Sequence, residues 1–188
     1  MNPLRRLALA SVLGLLPGLL LCGGVRAQED ESALREQLQQ ALWPADIVGT
    51  AERYLQRYPQ SAFAAQARQW REQARGGMRV LAERDVQLYR GAFQGADAAQ
   101  RDDLRRAALG DRTAAVRLAR AARQASPPDT PRYIGWLQYA AQLGDERASY
   151  ELALHYRRDA QPVRAAVYEA RAVELGFVPP RDLDHVRK

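Results

Sequence analysis

The sequence predicts an all-α protein built from packed helices, with a repeated unit in its C-terminal half. Apolar side chains recur every three or four residues throughout the chain after residue 28, which is the spacing of one face of an α-helix. Sustained alternation of branched or aromatic residues, the mark of a strand, is missing. A pattern of spaced residues also returns 34 positions later. The 188 residues are 47% hydrophobic and 27% charged, as in one or two globular domains.

Residues 1–27 have the composition of a secretory signal peptide. Arg5 and Arg6 precede a 15-residue apolar run, which is shorter than the roughly 20 residues that span a bilayer. Ala27 ends a short segment of the kind that signal peptidase cleaves, and polar residues follow it at once. We therefore expect cleavage after Ala27 and a mature chain in the periplasm.

Cys22 is the only cysteine, and it leaves alternatives to this prediction open. Leu21-Cys22-Gly23 is similar to the lipid-attachment site of bacterial lipoproteins, although these normally carry a small residue where Leu21 stands. Lipidation would tie the protein to the outer membrane, and an uncleaved segment would be an anchor of its own. Without lipidation of Cys22 or an uncleaved anchor, no membrane contact is expected. Cleavage after Ala27 would leave no disulfide or thiol nucleophile in the mature chain.

The first part of the body, residues 28–96, is predicted to hold helices that end at prolines. Leucines one helical turn apart predict its first helix; they are Leu34, Leu38 and Leu42. Pro44 ends this run, because the residue before a proline is driven out of the helical conformation. A second apolar face follows, and Pro59 ends it; its members are Ile47, Val48, Ala51, Tyr54, Leu55 and Tyr58.

A third and a fourth helix are expected between Ser61 and a break at residues 95–97. Ser61 is placed to cap the third helix, and Gly76-Gly77 is expected to end it. Residues 45–75 would then form an antiparallel helix pair. Another apolar stripe predicts the fourth helix; its members are Met78, Ala82, Val86, Tyr89 and Phe93.

The C-terminal part, residues 97–188, contains the internal repeat. Gly110-Asp111-x-x-Ala114-x-x-x-Leu118-Ala119 returns as Gly144-Asp145-x-x-Ala148-x-x-x-Leu152-Ala153. Physically, the glycine can adopt the left-handed conformation that closes one helix, and the aspartate can cap the next. We therefore predict two helical units at about residues 110–143 and 144–175, with a partial cap at 176–188.

Residues on the packing faces of both units carry a family resemblance. In the later unit they are Ala148, Leu152, Ala153, Tyr156, Ala165, Tyr168, Ala172 and Gly176. In the earlier unit they are Ala114, Leu118, Trp136, Ala140, Ala141 and Gly144. Both units resemble the Sel1-like repeat, a relative of the tetratricopeptide repeat, although alanine replaces the family's glycine at 119 and 153. Residues 45–75 are similar to the helix pairs of tetratricopeptide-type envelope proteins.

The resemblance implies a right-handed superhelical scaffold whose first helices, residues 112–124 and 146–158, line a concave binding face. Off the apolar stripe these helices carry the candidate partner-binding residues Arg117, Arg120, Arg123, Glu151, His155 and Arg158. Packing positions must repeat for units to stack, whereas these positions differ between the units. A groove of mixed charge suits an extended peptide or a protein helix, because charge sets register and apolar anchors give affinity.

Enzyme motifs are missing from the sequence. It has no Gly-x-Ser-x-Gly elbow, His-Glu-x-x-His helix, phosphate-binding loop or dinucleotide fingerprint. The only histidines are His155 and His185, so a histidine-based catalytic triad or a multi-histidine metal site is hard to assemble. Asp182, Asp184 and His185 form an acidic cluster that we interpret as a solvated helix rather than a metal site. We expect no catalytic residues, no metal and no cofactor.

The charge pattern completes the sequence-based hypothesis. The formal net charge is +6, and all basic residues except Lys188 are arginine, but the arginines are interleaved with acids. No nucleic-acid binding is expected, because that function favours clustered basic residues with exposed aromatics. The predicted function is a non-catalytic scaffold or adaptor for a protein or peptide in the envelope of a Gram-negative bacterium. The alternatives are binding of an anionic polymer, such as lipopolysaccharide or an acidic exopolysaccharide, and, ranked lower, cell-wall hydrolysis.

Overall fold

The computed structural model describes residues 22–95 and 97–178, and these ranges are all-helical, without strands. Their eight α-helices are α1 (Cys22–Gln40), α2 (Pro44–Arg57), α3 (Ala64–Leu81), α4 (Ala98–Ala108), α5 (Arg112–Gln124), α6 (Thr130–Gln142), α7 (Glu146–Arg158) and α8 (Pro162–Glu174). Among the described residues, no helix is long and apolar enough to cross a membrane. The acidic cluster Asp182, Asp184 and His185, and residues 1–21 of the predicted signal peptide, lie outside the described residues.

Each helix packs against the next one along the chain, most extensively in the pairs α2/α3, α5/α6 and α7/α8. Pro44 occupies the first turn of α2, where its missing N–H costs nothing, and Pro59 follows the end of that helix. These two predicted boundaries are confirmed. Ser61 does not cap α3 as predicted, since Phe63 holds the N-cap position. The Ser61 hydroxyl instead accepts the Phe63 N–H, at 3.1 Å, in the preceding turn.

The C-terminal end of α3 also differs from the prediction. Gly76-Gly77 does not end the helix, which continues to Leu81. A Cβ atom at Gly77 would lie 2.7 Å from the Ala108 carbonyl oxygen and 2.8 Å from the Tyr139 hydroxyl. The missing side chain therefore lets α3 approach α4 and α6 closely, so this glycine serves packing rather than helix termination.

The predicted fourth helix is wrong. After Leu81 the chain forms a loop that ends in a short 3₁₀-helix, Arg90–Phe93. Of the predicted apolar stripe only Val86 and Phe93 are buried, by the loop and its 3₁₀-helix, whereas Met78, Ala82 and Tyr89 are exposed. The loop is fixed to α6 because the Gln87 N–H donates a hydrogen bond of 2.8 Å to the buried side chain of Gln138. Apolar residues at helical spacing therefore belong here to a loop that packs on α6, and not to a helix.

The two glycine-aspartate corners of the C-terminal half have the same geometry. Gly110 and Gly144 adopt left-handed φ values of 91° and 89°. The carboxylates of Asp111 and Asp145 each accept the N–H three residues later, at 3.0 and 2.8 Å. Gly176 makes a third left-handed turn, with φ 92°. The predicted packing positions after the first two corners are all buried; they are Ala114, Leu118, Ala119, Ala148, Leu152 and Ala153.

One cluster of buried residues extends from Leu38 in α1 to Tyr168 in α8. Phe93 joins its two ends, since its ring centroid lies 5.0 Å from that of Trp43 and 4.8 Å from that of Trp136. The regions before and after residue 96 therefore share a single core. This core holds α5, α6 and α7 in fixed relative positions.

Candidate partner-binding groove

An open groove of about 840 Å³ runs along α7, between the C-terminal end of α5 and the start of α6. Its lining residues are Arg123, Thr130, Tyr133, Tyr150, Glu151, Leu154, His155, Arg157, Arg158 and Asp159. The structure thus brings together four of the six residues predicted to bind a partner: Arg123, Glu151, His155 and Arg158. The bounds of α5 and α7 coincide with the two predicted lining helices, 112–124 and 146–158.

One wall of the groove is a set of three paired side chains from three helices. The Arg123 guanidinium donates to Glu151 Oε1 at 2.8 Å and lies over the ring of Tyr133, 5.7 Å from its centroid. The Tyr133 hydroxyl donates to the same carboxylate oxygen at 2.7 Å. Burial, reinforced by this hydrogen bond to Glu151, raises the pKa of Tyr133 to about 12. Tyr133 is therefore a neutral hydrogen-bond donor at ordinary pH.

The mouth of the groove carries one cation, Arg158, without an ion-pair partner among the described residues. His155 Nε2 lies 3.3 Å from an oxygen of Asp159, one turn further along α7. Arg157 pairs with Glu169 of α8 at 2.6 Å. Arg158 is exposed and forms no ion pair with any residue that the structure describes. Its guanidinium is therefore available to a carboxylate of a bound molecule.

Apolar surface lies between these charges. Tyr150 and Leu154 are one turn apart on α7, and both are half-buried. The ring of Tyr150 stacks on that of Phe177, with centroids 4.4 Å apart. A side chain that is already held in place loses little freedom when it contacts a ligand, so Tyr150 is a suitable anchor.

Two predicted residues lie away from the groove lining. Arg117 points toward α4 and makes a bidentate ion pair with Asp103, whose oxygens lie 2.9 and 3.0 Å from its Nε. The hydrogen bonds to Asp103 raise the pKa of this guanidinium further above its ordinary value. Arg120 is exposed on α5 without lining the groove. Arg117 therefore joins two helices of the fold.

The aromatic and apolar residues of the groove were not among the predicted site residues. Tyr150 and Leu154 could have been found, because they precede Arg158 by eight and four residues on the same face of α7. Tyr133 could not, since it reads as part of the α6 core, and it is indeed only 7% exposed. Its position beside Glu151 arises from the packing of α6 on α7.

A second open groove, of about 590 Å³, lies between α1 and α2. Its lining is mainly polar, and it includes the Asp46–Arg90 ion pair of 2.7 Å. The only apolar side chains in its lining are the small ones of Ala41 and Ala45. This groove offers charges without an apolar anchor, so the groove along α7 is the better candidate for binding a protein.

Within the described ranges, no cluster of three or more His, Cys, Asp or Glu side chains is arranged to hold a metal ion. Comparison with models of protein families, with curated proteins and with solved structures gives no match to this chain.

Proposed function

We propose that the protein is a non-catalytic scaffold or adaptor, exported to the bacterial envelope, that binds a peptide or helix of a protein partner along α7. One observation carries this proposal: the groove combines the apolar side chains Tyr150 and Leu154 with the cation of Arg158, which has no ion-pair partner in residues 22–95 and 97–178. Apolar anchors beside a charge are the usual elements of peptide recognition, in which the anchors give affinity and the charge sets register.

The scaffold in this proposal is a right-handed superhelix of Sel1-like or tetratricopeptide-like repeats. Its support is the agreement of the corners at Gly110-Asp111 and Gly144-Asp145 in backbone conformation and in capping hydrogen bonds. Each corner leads into a helix whose apolar face is buried against the following helix. Helical repeats of this kind use the first helix of each unit to line an extended binding surface.

A protein partner is favoured over an anionic polymer by the state of the arginines. Of the three arginines that line the groove, Arg123 and Arg157 already have a carboxylate partner. A polymer of repeated negative charge would need a row of unpaired cations, and its binding would weaken steeply with salt. A groove with apolar anchors should instead retain most of its affinity between low and moderate salt.

The test is partner capture by groove variants. Envelope fractions are cross-linked in cells that carry the tagged protein, and captured proteins are identified by mass and quantified. Arg158→Glu and, separately, Leu154→Asp should weaken capture by at least about tenfold, or 1.4 kcal/mol. The matched control is Arg79→Glu, which reverses an exposed arginine on α3, away from the groove.

Both groove changes lie at positions where the native fold should be kept, which far-UV circular dichroism can verify. Equal capture by folded Arg158→Glu and Leu154→Asp proteins would remove the groove from consideration. The groove between α1 and α2 would then be the next surface to test.

The proposed location has its own test. Protein isolated from the envelope should have an intact mass that begins at Gln28, as expected for cleavage after Ala27. A diacylglyceryl adduct on Cys22 would contradict the soluble periplasmic form and support attachment to the outer membrane.

A further inference from the structure

The outer face of α8 is an apolar stripe that no described residue covers. Val163, Val167 and Val173 are 76%, 58% and 57% exposed. Ala166 and Ala170, which lie between them on the same face, are exposed as well. The opposite face of α8 is buried against α7. Five small or branched apolar residues in one exposed helical row are a typical surface for contact with another helix.

We infer that this stripe binds a second copy of the chain, with the two α8 helices antiparallel. Four of its five members are symmetric about Tyr168: Val163 and Val173 are each five residues from it, and Ala166 and Ala170 are each two. In an antiparallel pair, each Val163 therefore lies opposite Val173 of the other copy. A dimer with two-fold symmetry requires a surface of this self-complementary kind. The alanines near the centre let the helices approach closely.

The two ends of α8 carry charges of opposite sign. Arg164 lies in the first turn of the helix and Glu174 is its last residue, and both are exposed. Antiparallel pairing brings each Glu174 carboxylate close to Arg164 of the other copy and to the N-terminal turn of its helix. The dipole of that turn also favours a carboxylate. A parallel pair would instead place like charges side by side at both ends.

The size of the stripe sets the strength of the dimer. Thirteen helical residues are about 20 Å long, and one helix face buries less than the roughly 800 Å² per partner of a standard interface. The dimer should therefore be weak, with a dissociation constant on the order of 0.1 mM. This association is independent of the groove along α7, whose lining residues it does not use.

Sedimentation equilibrium over a concentration series up to about 1 mM tests the inference. The wild-type protein should show a reversible monomer–dimer equilibrium. Val167→Arg should abolish it, because it places two cations near the two-fold axis. The control is Met78→Arg, which adds the same side chain at an exposed apolar position on α3 and should leave the equilibrium unchanged.

Charge exchange determines the orientation of the two helices. Arg164→Glu and Glu174→Arg should each weaken dimerisation by about fivefold, because each puts like charges opposite one another. The protein with both changes should dimerise to within about twofold of wild type, since the pairs are restored with opposite sign. Failure of the double change to restore the dimer would overturn the antiparallel arrangement. A wild-type protein that stays monomeric over the whole concentration series would overturn the inference altogether. The occupant of the stripe would then be another part of the chain or another protein.

Discussion

Two adjacent glycines in α3 should respond in opposite directions to the same substitution. Gly76 and Gly77 both lie inside the helix, where alanine is favoured over glycine by about 0.5–1 kcal/mol. At Gly76 the nearest atom to an added Cβ is the flexible end of Arg79, at 3.9 Å. Gly76→Ala should therefore stabilise the fold by about 0.5–1 kcal/mol.

Gly77→Ala should destabilise the fold, because the new methyl group has no room. It would lie 2.7 Å from the Ala108 carbonyl oxygen, which belongs to the backbone, and 2.8 Å from the Tyr139 hydroxyl. Forcing extra volume into a packed site costs about 1–3 kcal/mol. The Tyr139 hydroxyl also donates to the buried Ala107 carbonyl at 3.0 Å, and leaving that bond unmade adds about 1–3 kcal/mol. After the gain in helix propensity, the net loss is about 1–5 kcal/mol.

Thermal unfolding followed by circular dichroism measures both changes. At this chain length, 1 kcal/mol corresponds to a Tm shift of about 2–4 °C, so Gly77→Ala should lower Tm by several degrees while Gly76→Ala raises it. Equal shifts for the two variants would refute the close approach of α3 to α4 and α6. They would favour the sequence-based expectation that both glycines merely end a helix.

Two further predictions concern the C-terminal helices. Leu152 is a fully buried residue of α7. Leu152→Ala should therefore lower the free energy of unfolding, measured with urea, by about 2–5 kcal/mol. A loss below about 0.5 kcal/mol would contradict its packing role. The pKa of Tyr133 is raised to about 12 in the fold, against about 10 in an unfolded chain. The unfolded state therefore loses this proton first, and stability should fall as pH rises from about 10 to about 12. Tyr133→Phe should make that decline shallower, and an unchanged pH profile would contradict the burial of this hydroxyl.

The glycine-aspartate corners could be predicted because their chemistry is local. A left-handed φ favours glycine over other residues, and an aspartate at the next position can reach the free N–H groups of the following helix. Both requirements are met within a few residues of Gly110 and Gly144, so no tertiary information was needed. The bounds of α5 and α7 followed from these corners.

The course of the chain between Gly76 and Phe93 could not be predicted in the same way. A glycine pair has two physical uses, helix termination and close approach, and the sequence does not distinguish them. The deciding contacts for Gly77 come from Ala108 and Tyr139, which are more than 30 residues away. For the following loop, the deciding contact is the hydrogen bond between Gln87 and Gln138.

The groove was predicted only in part, because Arg117, Arg120 and Arg123 were all assigned to the binding face of α5 and only Arg123 lines the groove. Successive helical residues turn by about 100°, so Arg117 and Arg123, six residues apart, point about 120° away from each other. Arg117 accordingly faces Asp103 of α4, while Arg123 faces Glu151 of α7. Helix geometry alone would have separated the two, but their carboxylate partners required the structure.

The arginines of α5 and α7 fall into two groups: those whose substitution should alter the positions of the helices, and those whose substitution should alter only contact with a partner. Where the carboxylate partner belongs to another helix, as for Arg117 and Arg123, the guanidinium contributes to the relative placement of the helices. Exposed pairs of this kind contribute only about 0–1 kcal/mol to stability. Their removal should therefore change the free energy of unfolding little, while it allows the helices that they join to move. Arg158 has no such partner among the described residues, so its loss should leave the walls in place. A binding defect at Arg158 with an unchanged Tm would therefore report contact with the partner directly, whereas a defect at Arg123 would combine contact with the position of Glu151.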